Sequence, residues 1–290
     1  MPRKLPLLLT ALLLAGCTVQ VSERSLLHPT PGGALPAEAL ARAAPAYVQS
    51  DHWVTAADGT RLSAVRLRQP GARATILYFG GNGYTIERFG AWTAGVFAPL
   101  GVDLMIVDHR GYGRSEGMPT QANIEADGVA AFDYLTRDLG VDPATVIVHG
   151  QSLGSFIAGH VAAERPTGGV VLESSATTTE DWVAANLRGA RRAIVRAEID
   201  PALRGRGNLA NMARIEEPLL ILVGAADRTT PPSLSQALYA ASPLPAARKT
   251  LAIVAGAGHN DVLLRPEAIA AYRAFLARPA DRVRPGSSPP

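Results

Sequence analysis

Cysteine is nearly missing from this chain: Cys17 is the only one in 290 residues, so no disulfide can form within it. Charge of one sign is scarce too. The net charge is +3, and no tract of Lys and Arg interleaved with aromatics occurs, which removes nucleic acid from the expected partners. No repeat of fixed period is visible, so a solenoid or propeller is excluded. No Cys/His grouping has metal-ligand spacing and no glycine-rich phosphate loop fits, so neither a metal nor a cofactor is expected. The apolar run from Leu5 to Ala15 is shorter than the roughly 20 residues a helix needs to span a bilayer. What is present is 47% hydrophobic and 18% charged, enough to bury the full core of one α/β domain.

The short apolar run has a positive flank, Arg3 and Lys4, and ends in Leu14-Ala15-Gly16-Cys17. That arrangement is a signal peptide, and its end resembles the lipobox of bacterial lipoproteins. The resemblance implies that residues 1–16 are removed and that Cys17 is lipidated. The mature protein would then be lipid-anchored to the cell envelope, at the outer membrane in a Gram-negative cell because Thr18, not an aspartate, follows. The competing reading is an ordinary signal peptide with an incidental cysteine. Loss of Arg3 and Lys4 takes the charge from +3 to +1.

Residues 17–50 carry Pro29, Pro31, Gly32, Gly33, Pro36 and Pro45, and read as a tether with irregular packing and a helical turn or two at 37–43. The domain is expected over 51–278, opening with a hairpin of strands 52–56 and 60–67 turned at Asp58-Gly59. Apolar strands at 75–79, 103–107, 146–148, 169–172, 219–223 and 250–254 then alternate with helical stretches. Such alternation, with strands buried on both faces, predicts an α/β fold with a mostly parallel sheet flanked by helices. Residues 177–211 interrupt it and read as a small helical cap. Within it Val183, Leu187, Ala190, Ile194 and Ala197 form one apolar stripe at helical spacing. Arg188, Arg191, Arg192 and Arg196 lie off that stripe, followed by Arg204 and Arg206, as a solvated face or one turned to an anionic bilayer. The proline-rich tail 279–290 is expected to be disordered.

The stretch that organises the chain is Val146-Ile-Val-His-Gly150-Gln-Ser152-Leu-Gly154. A β-branched strand stops at Gly150 and a helix starts after Ser152, which is the strand–turn–helix setting of a nucleophilic serine. A serine hydroxyl needs an imidazole to take its proton, a carboxylate to orient that imidazole, and two fixed donors for the oxyanion. Asp227 and His259 follow in that order, each just past the end of an apolar strand. Glu173, after the strand 169–172, is the rival acid. His149 is the rival base nearest the serine in sequence, although its side chain is expected to face into the fold. Asp108 and Arg110 are expected only to fix the turn after their strand.

These stretches together are similar to the α/β-hydrolase superfamily, and within it to the Bem46-like, serine aminopeptidase S33-type group. The resemblance covers nearly all of 45–278. It is carried by Leu77-Tyr-Phe-Gly-Gly-Asn82, Asp108-His-Arg-Gly-Tyr-Gly-Arg-Ser-Glu-Gly117, His149-Gly-Gln-Ser-Leu-Gly154, Gly224-Ala-Ala-Asp227-Arg-Thr-Thr-Pro231 and Gly256-Ala-Gly-His259. It implies Ser152, His259 and Asp227 as catalytic residues, the last favoured over Glu173 by its Gly-x-x-Asp-x-x-x-Pro frame. It also implies backbone N–H groups of Asn82 and Leu153 as the oxyanion hole. Gly80 stands where relatives usually carry a histidine, which loosens the Asn82 loop. The activity implied is that of a serine hydrolase forming an acyl-enzyme on a carboxylic ester, lipid or thioester. A peptidase and a non-catalytic binding module at the surface are the alternatives.

Overall fold

The computed structural model describes residues 17–187 and 195–278. The leader 1–16, the tail 279–290 and the cap residues 188–194, with Arg188, Arg191 and Arg192, lie outside the described residues.

In chain order the elements are β1 (Cys17–Val21), α1 (Glu23–Leu26), α2 (Ala37–Ala43), β2 (Val48–Thr55), β3 (Arg61–Arg68), β4 (Thr75–Phe79), α3 (Ile86–Phe97), β5 (Asp103–Val107), α4 (Gln121–Asp133), β6 (Val146–Gln151) and α5 (Leu153–Glu164). There follow β7 (Gly169–Glu173), α6 (Thr179–Asn186), β8 (Val195–Ile199), α7 (Leu209–Met212), β9 (Leu219–Gly224), α8 (Pro232–Ala241), β10 (Lys249–Val254) and α9 (Pro266–Leu276). Eight strands form one sheet in the order β10-β9-β7-β6-β4-β5-β3-β2. Only β3 runs against its neighbours, pairing antiparallel with both β2 and β5. A mostly parallel sheet flanked by helices is what the alternation predicts.

Period-two alternation assigns each strand's side chains to two cores. Leu77, Phe79, Val146 and Val148 pack on one face with Ile157 and Val161 of α5 and Ile124 and Phe132 of α4. Ile76, Tyr78 and Ile147 pack on the other with Phe97 of α3 and Tyr272 of α9. Strands covered on both faces must be apolar throughout, and β4, β7 and β9 are buried along their whole length. The helices start where side chains satisfy their free N–H groups: Thr85 accepts from Arg88 N at α3, and Thr120 forms a capping box with Asn123 at α4.

The strand order reverses around β4. From β4 the chain moves outward through α3 to β5, then crosses back through α4 to β6 on the other side of β4. Loops leaving two adjacent strands in opposite directions open a crevice at their C-terminal ends. Asn82 follows β4 and Ser152 follows β6, so both stand at that crevice.

Two regions differ from the expectation. Residues 17–50 are more than a tether: β1 pairs in parallel with β8, from Cys17 opposite Val195 to Val21 opposite Ile199, and α1 follows, while α2 at Ala37–Ala43 is the expected helical turn. The cap is not purely helical either. Helix α6 stops at Asn186, and 195–199 is a strand, so Ala197 of the expected helical stripe lies in β8. Val195, Ala197 and Ile199 are partly buried and alternate with exposed Arg196 and Glu198. A partner strand some 175 residues earlier supplies the ladder that local spacing does not reveal. Arg206 is not merely solvated, since it pairs with Glu125 of α4 at 2.9 Å.

Candidate active site

The turn from β6 into α5 is tightly packed on both sides of Ser152. A Cβ on Gly150 would fall 2.0 Å from Gly154 O, and one on Gly154 would fall 2.0 Å from Phe79 O. Neither space exists for a side chain, so the helix can lie this close to the sheet only with glycine at both positions. Between them Ser152 holds φ 53° and ψ −115°, a conformation that costs on the order of 1–3 kcal/mol and persists because its surroundings impose it. Ser152 N donates to Glu173 O (2.9 Å), and Ser152 O accepts from Ser155 N (2.9 Å). The strain turns the hydroxyl away from the backbone and out into the crevice.

His259 Nε2 lies 2.9 Å from Ser152 Oγ, and His259 Nδ1 lies 2.8 Å from Asp227 Oδ2. Three loops from the ends of β6, β9 and β10 thus meet in one hydrogen-bonded line. Each loop is held by further bonds. Asp227 Oδ1 accepts the N–H groups of Thr229 and Thr230 at 2.8 Å each, and the Thr230 hydroxyl stands 2.8 Å from Oδ2. The carbonyl of His259 accepts from Ser174 Oγ (3.1 Å) and Gln151 Nε2 (3.3 Å). A Cβ on Gly224 would fall 2.3 Å from Gly258 O, so the acid and base loops pack directly on each other. Burial pushes the Asp227 carboxyl up, but hydrogen bonds from His259 and from Thr230 outweigh it and hold it below the ordinary value. The carboxylate therefore stays ionised beside the imidazole.

The rivals are elsewhere. Glu173 is buried under the elbow, with Oε2 3.1 Å from His149 Nε2, while His149 Nδ1 lies 3.1 Å from the Tyr272 hydroxyl. That group faces the core, as expected for His149, and Glu173 makes no bond to His259. Asp108 accepts Ile86 N (2.7 Å) and fixes the start of α3, and Arg110 binds Asp127 through two N–H groups (2.9 and 2.7 Å). Sequence reasoning passed over Thr230, Ser174 and Gln151. Thr230 was the one with a signal: N–H donors two and three residues after an aspartate are a recurring turn.

The N–H of Leu153, first residue of α5, has no partner within the helix, and no backbone bond among the described residues takes up the N–H of Asn82. Both residues line a cavity of about 340 Å³ together with Ser152 and His259. Leu26, Leu153, Phe156 and Trp182 give it apolar walls, and Gln121 and Asn260 are among its polar ones. No Asp, Glu, Lys or Arg lines it among the described residues. Nor does any group of three or more His, Cys, Asp or Glu among them suit a metal ion.

Solved structures share this architecture. An esterase of Pyrococcus furiosus superposes with a TM-score of 0.67 at 18% identity, over 86% of this chain and 97% of that one. A thermostable carboxylesterase, EstE1, from a metagenomic library superposes with 0.63 at 17% identity, over 84% and 97%. The fold is that of the α/β-hydrolases. A family model described as serine aminopeptidase, S33 matches residues 70–204, which takes in Asn82 and Ser152 and stops short of Asp227 and His259. Alpha/beta hydrolase domain-containing protein 17B of Homo sapiens is 28% identical over 221 residues, 76% of this chain and 72% of that protein. An uncharacterized protein of Mycobacterium tuberculosis is 32% identical over 162 residues. That match spans 56% of this chain and about half (54%) of the mycobacterial protein. These α/β-hydrolase likenesses support a hydrolase.

Proposed function

We propose that this α/β-hydrolase is a serine hydrolase that cleaves a neutral ester-type substrate through an acyl-enzyme. The observation that carries the reading is the line Ser152 Oγ, His259, Asp227 with contacts of 2.9 and 2.8 Å. His259 Nε2 takes the Ser152 proton as Oγ bonds to the acyl carbon, and the carbonyl electrons move onto oxygen. The N–H groups of Asn82 and Leu153 receive that oxyanion. On collapse the imidazolium gives its proton to the departing oxygen, leaving the acyl group on Ser152. Water then repeats the sequence, with His259 as base, and releases the acid. Asp227, ionised and fixed by Thr229 and Thr230, holds the tautomer that leaves Nε2 free to accept.

Ester is favoured over peptide by the walls of the cavity. An aminopeptidase must hold an α-ammonium group, and a buried cation needs a carboxylate. No Asp or Glu among the described residues lines the cavity, and the carboxylate of Asp227 is taken up by His259, Thr229 and Thr230. The purified protein should therefore turn over p-nitrophenyl esters of short and medium chain length far faster than aminoacyl p-nitroanilides. Faster turnover of the anilides would replace this reading with a peptidase.

We also propose that Cys17 carries the protein to the envelope membrane. The leader pattern ending in Cys17 supports this. Several acyl chains hold a protein at a bilayer where one binds marginally. Metabolic labelling with a clickable fatty acid should mark the wild type and not Cys17→Ser. Equal labelling of both would refute the anchor.

A further inference from the structure

The chain just after Cys17 does not simply lead to the domain. Between Val21 and Pro29 it passes over the active-site crevice, and it is tied down on both sides. Towards the cap, β1 pairs with β8, and Leu26 packs with Trp182 against the apolar cluster of Val21, Val183 and Leu203. Towards the core, Glu23 Oε1 accepts the N–H of Gln121 at the start of α4 (2.7 Å). The remaining ties all converge on one side chain, that of Asn82. Its Oδ1 accepts His28 N (2.9 Å) and the Tyr112 hydroxyl (2.7 Å). Its Nδ2 donates to Leu26 O (2.5 Å) and lies 3.2 Å from His28 Nδ1. His28 Nε2 lies 3.1 Å from Ser25 O, so the ring donates there and Nδ1 is left to accept from Asn82. Every hydrogen-bonding position of the carboxamide is filled.

Yet Asn82 is an exposed residue. Water could satisfy the carboxamide and its exposed partners, and of the four only the Tyr112 hydroxyl belongs to a fully buried side chain, so these bonds together add little to folding stability. What they determine is where the Asn82 backbone sits. The loop needs that help: it reads Gly80-Gly81-Asn82-Gly83, and Gly83 takes φ 78°. Outside the sheet ladder, Tyr84 N donates to Gly81 O at 3.0 Å and His109 Nε2 lies 2.7 Å from Gly80 O, which hold the loop on either side of Asn82 but not the Asn82 N–H itself. A loop this rich in glycine does not hold one N–H in a fixed direction unaided.

We propose that the segment Ser22–His28 is a working part of the active site, which positions the Asn82 N–H through the Asn82 carboxamide and shapes the substrate cavity through Leu26. Asn82 is then an oxyanion donor by its backbone and a positioning residue by its side chain. Leu26 is a selectivity residue on the wall opposite the core. This rests on the acyl-enzyme reading above. It adds that the stretch from the N-terminal strand to the crevice belongs to the catalytic apparatus, joined by contacts to both the cap and the oxyanion loop.

The test uses the whole protein and three variants, Asn82→Ala, Glu23→Ala and Leu26→Ala. Asn82→Ala should lower kcat by about ten- to a hundred-fold with KM within about two-fold, because the misplaced N–H is needed only as charge develops. Its melting temperature should stay that of the wild type. Leu26→Ala should change the ratio of kcat/KM for long over short esters by about ten-fold in favour of the long. Amide exchange at Tyr84 N–H, read without any substrate, should become about ten-fold faster in Asn82→Ala and measurably faster in Glu23→Ala. A wild-type kcat in Asn82→Ala, or equal losses in kcat and melting temperature, would overturn the proposal. So would unchanged exchange at Tyr84 in both variants. If the wild type hydrolyses no ester, the acyl-enzyme reading fails, while the exchange data still decide whether the segment holds the loop.

Discussion

The floor of this active site and its roof are built on different principles. The floor is the row of loops after β6, β9 and β10, and each is a local unit of strand, turn and helix. Its acid is buried and bonded several times over: Asp227 is 4% exposed and takes three bonds besides that to His259. The roof is Ser22–His28 with the cap, whose parts come from residues far apart in sequence and stay partly exposed. Precision in the floor comes from backbones packed too tightly to move, as at Gly150 and Gly154. In the roof it comes from polar contacts that water can compete for. A hydrolase of this kind keeps its chemistry in the rigid layer and leaves fit to the looser one.

That division predicts where losses fall. The largest should come from the floor. Asp227→Asn should keep the fold and lower kcat by about 10⁴-fold, because the wrong tautomer of His259 is then favoured. Glu173→Gln should leave kcat within about ten-fold, since Glu173 bonds His149 and not the triad. A reversal of these two results would move the acid to Glu173 and break the picture of the floor. The roof variants come next, with their ten- to hundred-fold changes in kcat or selectivity.

A further effect should appear in stability, with turnover little changed. Asp108 carries α3 beneath the Asn82 loop, and burial pushes its carboxyl from 3.8 up to about 6 against the pull of the Ile86 and Arg114 N–H groups. Between those values the unfolded chain releases the proton and the folded protein keeps it. This group's contribution to stability is therefore complete below 3.8 and is lost as pH rises through 6. Urea unfolding should show Asp108→Asn gaining on the wild type by up to about 3 kcal/mol between pH 4 and pH 7. A difference that is flat with pH would show that the carboxyl is not held neutral.

The same contrast explains what could be read from the sequence. Ser152, Asp227 and His259 were legible because each follows its own apolar strand within a few residues, and chain order is enough to place them on one edge. Gly150 and Gly154 were legible for the same reason. The roof was not. The pairing of β1 with β8 joins Cys17 to Val195, and five alternating residues at 195–199 read less clearly than a helical stripe running through them. The partners of Asn82 were equally hidden, since Leu26 and His28 lie more than fifty positions before it in a stretch whose prolines and glycines suggest a tether.

The claim on which the rest depends is that Ser152 is the nucleophile held out by the strained turn. A fluorophosphonate probe followed by peptide mass spectrometry tests it directly. The wild type should carry one adduct, on the peptide containing Ser152, and Ser152→Ala should carry none while melting at the same temperature. An adduct on another residue, labelling that survives in Ser152→Ala, or no reaction of the wild type would contradict the account.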